Sequence, residues 1–211
     1  MLNQENRVAQ SAREMQSLVP CLTDMRIVAL DLEYGDGHRG FAEIGMAICD
    51  RGTRRGRQIV VGDHRPLGDF LHGRIERMSV DEACLALADE VGRADILAGH
   101  DLSGDRLRLR EMGIMLPHVP VYDTARMSKR LFVPPLQAQM RAMLQLYGIS
   151  TDGLHVAGND AWSVIDLLIE MARQGPSPCA GPNGDYAHPR GRVDVLRDRR
   201  TADGYVTEPG G

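Results

Sequence analysis

The sequence predicts an α/β fold built on a mixed five-stranded sheet flanked by helices, and three observations carry that expectation. Arg26–Leu32 is a continuous apolar run with the look of a strand buried on both faces. Two more short apolar segments follow it across tight turns, which suits antiparallel hairpins. After residue 79 the pattern switches to alternating strand and helix periods, which places helices on the faces of the sheet.

The elements follow in order. Gly35-Asp-Gly-His-Arg-Gly40 is a turn after the first strand. Ala42–Cys49 reads as the second strand and Gln58–Val61 as the third. Ser79-Val-Asp-Glu82 is a capping box opening a helix through about residue 91. Asp95–Ala98 is a short strand, Leu102–Met112 a helix, and Val119–Tyr122 the fifth strand. Helices are expected over Thr124–Leu131, Leu136–Tyr147 and Asp160–Arg173, where apolar residues recur at helical spacing. Residues 1–24 read as a polar N-terminal extension, 25–174 as the folded domain, and 175–211 as a Pro/Gly-rich tail expected to be disordered.

Composition narrows the class. A chain of 211 residues with 43% hydrophobic content can bury its own core. No apolar run reaches the ~20 residues of a membrane helix, and no secretory signal is visible, so an intracellular protein of cytoplasm or nucleus is expected. The four cysteines, at 21, 49, 84 and 179, have neither metal-ligand nor redox spacing, and Cys49 and Cys84 read as small core residues. The net charge of -4 argues at first against nucleic acid. The basic residues, however, are arginine but for Lys129, and arginine forks suit phosphate.

Three separated pieces hold the residues with chemistry. Asp31 and Glu33 lie two apart on a strand, so both side chains share one face. Charge in an apolar strand needs a partner. Asp105 opens a helix after a short strand. His155-x4-Asp160 leads into the last apolar helix, with His155 on the loop and Asp160 in the first turn. Alone, each has an ordinary reading: a strand end, an acid favoured by the helix dipole, a chance pair. Were the four carboxylates to meet about 5 Å apart, they would repel by about 3 kcal/mol per pair at an effective dielectric of ~20. Hard divalent cations, magnesium or manganese, relieve that repulsion through oxygen ligands.

In this order the pieces resemble the DEDDh 3'-5' exonuclease family, which has the ribonuclease H-like fold. The matching text is Val28-Ala-Leu-Asp-Leu-Glu33, Glu43-Ile-Gly45, Gly99-His100 with Asp105, Tyr122-Asp-Thr124, and His155-Val-Ala-Gly-Asn-Asp-Ala161. The last stretch also resembles a fungal subgroup of DEDDh-like proteins. The resemblance covers about residues 26–173. It implies that Asp31, Glu33 and Asp160 hold one cation, that Asp31 and Asp105 contribute to a second, and that His155 is the base; histidine titrates near neutral pH. Val156 and Ala157 exclude the family's tyrosine subclass. Two departures stand out: Asp101 where the family usually has Asn, and Gly104 where an aromatic is common.

The implied activity is stepwise hydrolysis of single-stranded RNA, or less readily DNA, from a free 3' end, releasing 5'-mononucleotides with two Mg2+ or Mn2+ ions. Tyr34, His100, Asp101 and Arg106 are candidate substrate contacts. A binding or scaffold protein on the same fold, with reduced or no cleavage, is the rival. A homodimer, and a protein partner held by the arm or the tail, stay open.

Overall fold

The computed structural model describes residues 22–35, 41–131, 139–174, 186–188 and 191–193, with positions 13, 16 and 20. Three strands, β1 (Arg26–Tyr34), β2 (Phe41–Asp50) and β3 (Thr53–Val61), form an antiparallel meander. A fourth, β4 (Ile75–Met78), runs parallel to β3, while β5 (Ile96–Gly99) and β6 (Val121–Asp123) run parallel to β1 and to each other. The sheet order is β4-β3-β2-β1-β5-β6. It is a mixed α/β sheet, and it has six strands rather than five.

The extra strand has a physical reason. Ile-Glu-Arg-Met is short and half-exposed at a sheet edge, where charged residues are tolerated and apolar pattern is weak. Likewise β3 starts at Thr53, five residues before its apolar run. Its polar half is held by ion pairs: Arg54 to Asp166 at 2.5 Å, Arg55 to Glu90 at 2.7 Å, and Arg57 to Glu76 at 2.8 Å.

Helices α1 (Val80–Gly92), α2 (Ser103–Glu111), α3 (Thr124–Leu131), α4 (Met140–Leu146) and α5 (Ala157–Gln174) accompany the sheet. The capping box of α1 is formed, with Ser79 and Glu82 satisfying each other's backbone N–H groups. The first residues expected of α4, 136–138, lie outside the described residues, as do most of the N-terminal extension and most of the tail. Within the tail, Tyr186–His188 (β7) pairs antiparallel with Gly191–Val193 (β8). Among the described residues, no helix is long and apolar enough to cross a membrane.

Pleating divides β1 between two cores. Val28, Leu30 and Leu32 pack with α1 and α2 residues such as Ala83, Leu87 and Leu109. Ile27 and Ala29 pack with α4 and α5 residues such as Met143, Val164 and Leu168. Period two therefore assigns Asp31 and Glu33 to the face that α5 covers. Helix α5 starts at Ala157, three residues earlier than the sequence suggested, because Ala157, Gly158 and Ala161 are small enough to sit down on β2. Gly45 makes the approach possible: a Cβ there would lie 1.9 Å from the backbone of Ala157.

Candidate metal and active site

Four chain segments converge at the C-terminal end of β1. Strand β1 brings Asp31 and Glu33, which sit opposite Gly45 and Glu43 of β2. A bulge between Glu33 and Tyr34 ends the regular pairing and turns the chain. Helix α2 brings Asp105 from its first turn, and α5 brings Asp160 from its own. The turn before α5 brings His155.

Glu33, His155 and Asp160 each offer a ligand atom within 4.8 Å of the others. The His155 backbone N–H is shared between both Asp160 carboxylate oxygens, at 3.2 Å each. Asp105 and Asp160 are buried, at 9% and 8% exposure. Asp105 accepts a hydrogen bond from the Tyr34 hydroxyl at 3.2 Å.

The electrostatics run one way. Burial is the largest cause in each case, and it raises every one of these acids. The Asp31 carboxyl is pushed well above its ordinary range by burial, then by Asp160, Asp105, Glu33 and Glu43. Burial lifts Asp160 to about 7, against the pull of the His155 N–H, with Glu33 adding to the rise. Burial lifts Asp105 to about 6, the Tyr34 hydrogen bond opposing and Glu33, Asp101 and Asp123 adding. Glu33 is also raised, first by burial, although nearby His155 pulls it down. Acids crowded in this way disfavour their own ionised forms.

The other expected residues are spread around this centre. The Tyr34 ring packs on Phe41 at 5.7 Å and lies under the Arg108 guanidinium at 5.9 Å. His100 Nδ1 lies 2.9 Å from the Thr124 hydroxyl, which in turn donates to the Gly99 carbonyl at 3.1 Å. The hydroxyl proton being used, Nδ1 is the donor, and the ring is fixed as part of the β5–α3 junction. Asp101 is exposed, with φ at +57°. Its N–H donates to Asp123 and its carboxylate accepts from the Ser103 hydroxyl. Arg106 is exposed beside Asp105. A Cβ added at Gly104 would meet nothing within 4 Å, so a side chain can start there without a clash.

Sequence reasoning gave no role to Glu43, Gln58 or Asn159. Glu43 is fully buried, accepting from the backbone N–H of Leu67 at 2.7 Å and of Ala157 at 3.4 Å. Gln58 accepts from the Gly158 N–H at 2.9 Å. Both seat the start of α5. The signal for Glu43 was available: a lone acid within Phe41–Cys49 is as anomalous as Asp31 in β1.

Residues 70–171 match the family model for the DNA polymerase III subunit epsilon-like, C-terminal domain of the DEDDh group. The sequence has no significant match among curated proteins. Among solved structures, the Neurospora crassa Pan2 catalytic unit, a protease and nuclease domain, is 18% identical, with a TM-score of 0.48 over 73% of this chain and 28% of that one. The Saccharomyces cerevisiae Pan2 pseudoubiquitin hydrolase–RNA exonuclease module, solved with A7 RNA, is 13% identical, with a TM-score of 0.47 over 72% of this chain and 29% of that one. An Escherichia coli aminopeptidase P variant scores 0.31 at 13% identity, over 78% of this chain and 50% of that one. The chain thus spans less than a third of the Pan2 structures it resembles.

Proposed function

We propose that this chain, whose residues 70–171 belong to the DEDDh family, is a metal-dependent 3'-5' exonuclease that removes 5'-mononucleotides from single-stranded ends, RNA before DNA. The observation that carries the reading is geometric: Glu33, His155 and Asp160 offer ligand atoms within 4.8 Å of one another, and Asp31 and Asp105 crowd the same place, each carboxyl being raised. Their environment penalises negative charge, yet supplies only oxygen donors and one imidazole. That donor set fits hard divalent cations. Asp31, Glu33 and Asp160 would hold one ion, and Asp31 with Asp105 would contribute to a second. Such ions, when bound, lend charge to activate water and to steady the leaving 3'-oxygen.

The chain's own residues supply the rest. His155 takes the proton of the attacking water at a ring nitrogen, which its exposed position beside Glu33 and Asp160 favours. Tyr34 steadies Asp105 and offers its ring at the mouth of the site to the terminal nucleotide. Arg106 and Arg108 lie along α2 where a phosphate backbone would run.

The test is digestion of RNA and DNA oligonucleotides with free and blocked 3' ends, in magnesium, manganese or EDTA. Stepwise release of 5'-mononucleotides from free ends, lost in EDTA, is expected. Binding without cleavage would favour the scaffold reading, and early internal fragments would make the protein an endonuclease.

A further inference from the structure

The turn that carries His155 is not held by local preference. Gly153 and His155 both have left-handed backbones, each with φ at +71°. Glycine adopts this freely; for histidine it costs roughly 1–2 kcal/mol. Something outside the turn must hold it, and Asp160 accounts for only one attachment, through the His155 N–H.

Asn159 supplies the other. It sits in the first turn of α5 and is 1% exposed. Its amide uses every donor it has. One N–H reaches the Gly153 carbonyl at 2.9 Å and the other the Asp69 carbonyl at 2.9 Å. Its oxygen accepts from the Leu71 N–H at 3.0 Å. One side chain thereby fastens the His155 turn to α5 and to the loop between β3 and β4. That loop is itself anchored. Leu67 donates to buried Glu43, and His72 stacks on Trp162 of α5 at 4.3 Å and 5°. The fit leaves no slack: a Cβ on Gly153 would lie 2.6 Å from Asn159 Nδ2.

We infer that Asn159 is a positioning residue for His155: it clamps the 153–155 turn between α5 and the β3–β4 loop, so that the imidazole stands beside Glu33 and Asp160. The inference rests on the reading of His155 as the base. Among the described residues, the Asn159 side chain bonds only to backbone groups of Gly153, Asp69 and Leu71, so its removal should slow the chemical step and spare binding.

A double-mutant cycle with an exchange measurement tests this. In Asn159→Leu the single-turnover rate should fall about 10–100-fold, the cost of a misplaced catalytic group, with substrate affinity within about two-fold. In a His155→Ala background the same substitution should change the rate by less than about two-fold, since nothing is left to position. The amides of residues 153–155 should exchange faster with solvent, while residues 164–171 of α5 keep their protection. If Asn159→Leu cannot fold, Gly153→Ala strains the same clamp from the other side and carries the same comparison. An equal loss in both backgrounds, an unchanged rate, or unchanged exchange at 153–155 would overturn the inference. If the wild type does not cleave, or His155→Ala cleaves normally, the fault lies with the proposed function; exchange at 153–155 then reports whether Asn159 holds the turn.

Discussion

The two ends of β1 stand beside buried carboxylates in opposite surroundings. At its start, Arg26 pairs with Glu90 of α1, a carboxylate only 2% exposed that also meets Arg55 at 2.7 Å and Arg57 at 3.2 Å. Burial pushes the Glu90 carboxyl up, but Arg55, Arg26 and Arg93 pull it below its ordinary range. At the other end, Asp31 has four acids around it, and no cation is among the causes that shift it. Burial raises the carboxyl at both ends, and the sign of the charge nearby is what differs. One end is finished by the chain itself; under the proposed function, the other takes its balancing positive charge from bound cations.

Removing a carboxylate from each end should therefore have opposite consequences, and this is the largest effect we expect. Glu90→Ala strands several arginines in a partly buried place and should destabilise the fold by about 3–5 kcal/mol, the usual cost of breaking a buried pair. Cleavage per folded molecule should be unchanged. Asp31→Asn should reduce cleavage to background while the metal-free melting temperature holds or rises, because a repelled charge is gone. Thermal melts with parallel nuclease assays check both. A large stability loss in Asp31→Asn, with activity kept, would make the acidic end structural and end the contrast.

The pH response should separate the same two regions by a smaller margin. Asp160 and Asp105 have folded values of about 7 and about 6, raised from 3.8. A raised acid lends stability that is whole below its unfolded value and is lost as pH climbs through the folded one. In EDTA the melting temperature should accordingly fall between about pH 4 and pH 7, and manganese should restore it at the upper end. Glu90 and Glu76 are lowered from 4.5, so their contribution is present above that value and is lost on acidification below it. Glu90→Gln should blunt the acid limb, Asp160→Asn the limb below neutrality. A melting temperature indifferent to pH between 4 and 7 in EDTA would contradict the crowding of the acidic end.

The two ends also differ in how far the sequence disclosed them. Asp31 and Glu33 could be picked out because charge there breaks an apolar strand, whereas Asp105, His155 and Asp160 stood out only through an order and spacing that resemble the family's; the structure draws these segments together. The arginine end was not anticipated, since Thr53-Arg-Arg-Gly-Arg57 reads as a loop by composition. It becomes strand through ion pairs to Glu76, Glu90 and Asp166, which are distant in sequence. Edge strand β4 escaped for the same reason, because its pairing with β3 is a tertiary fact that four half-exposed residues do not announce. The supporting residues Glu43, Gln58 and Asn159 hold backbone groups, and side chains bonded to backbone leave no periodic trace.

Tyr34 offers the smallest and sharpest test, because it belongs to the acidic end yet supplies its only hydroxyl donor to Asp105. The bond to Asp105 is long, 3.2 Å, and it opposes the burial that raises that acid. Tyr34→Phe removes only the O–H and leaves the ring on Phe41 and under Arg108. Metal-free stability should drop by about 0.5–1.5 kcal/mol near neutral pH, the net worth of one hydrogen bond. The same change should raise the pH at which Asp105 ionises, and so weaken manganese binding a few-fold at pH 6 but hardly at pH 8. Tyr34→Leu should add a loss of affinity for the oligonucleotide if the ring meets the terminal base, since stacking is worth about 1–3 kcal/mol per base. Titrations of manganese at the two pH values, and of a 3'-free oligonucleotide in calcium, distinguish the hydroxyl from the ring. Equal manganese affinity in wild type and Tyr34→Phe at pH 6 would show that the acids alone set the charge of this end.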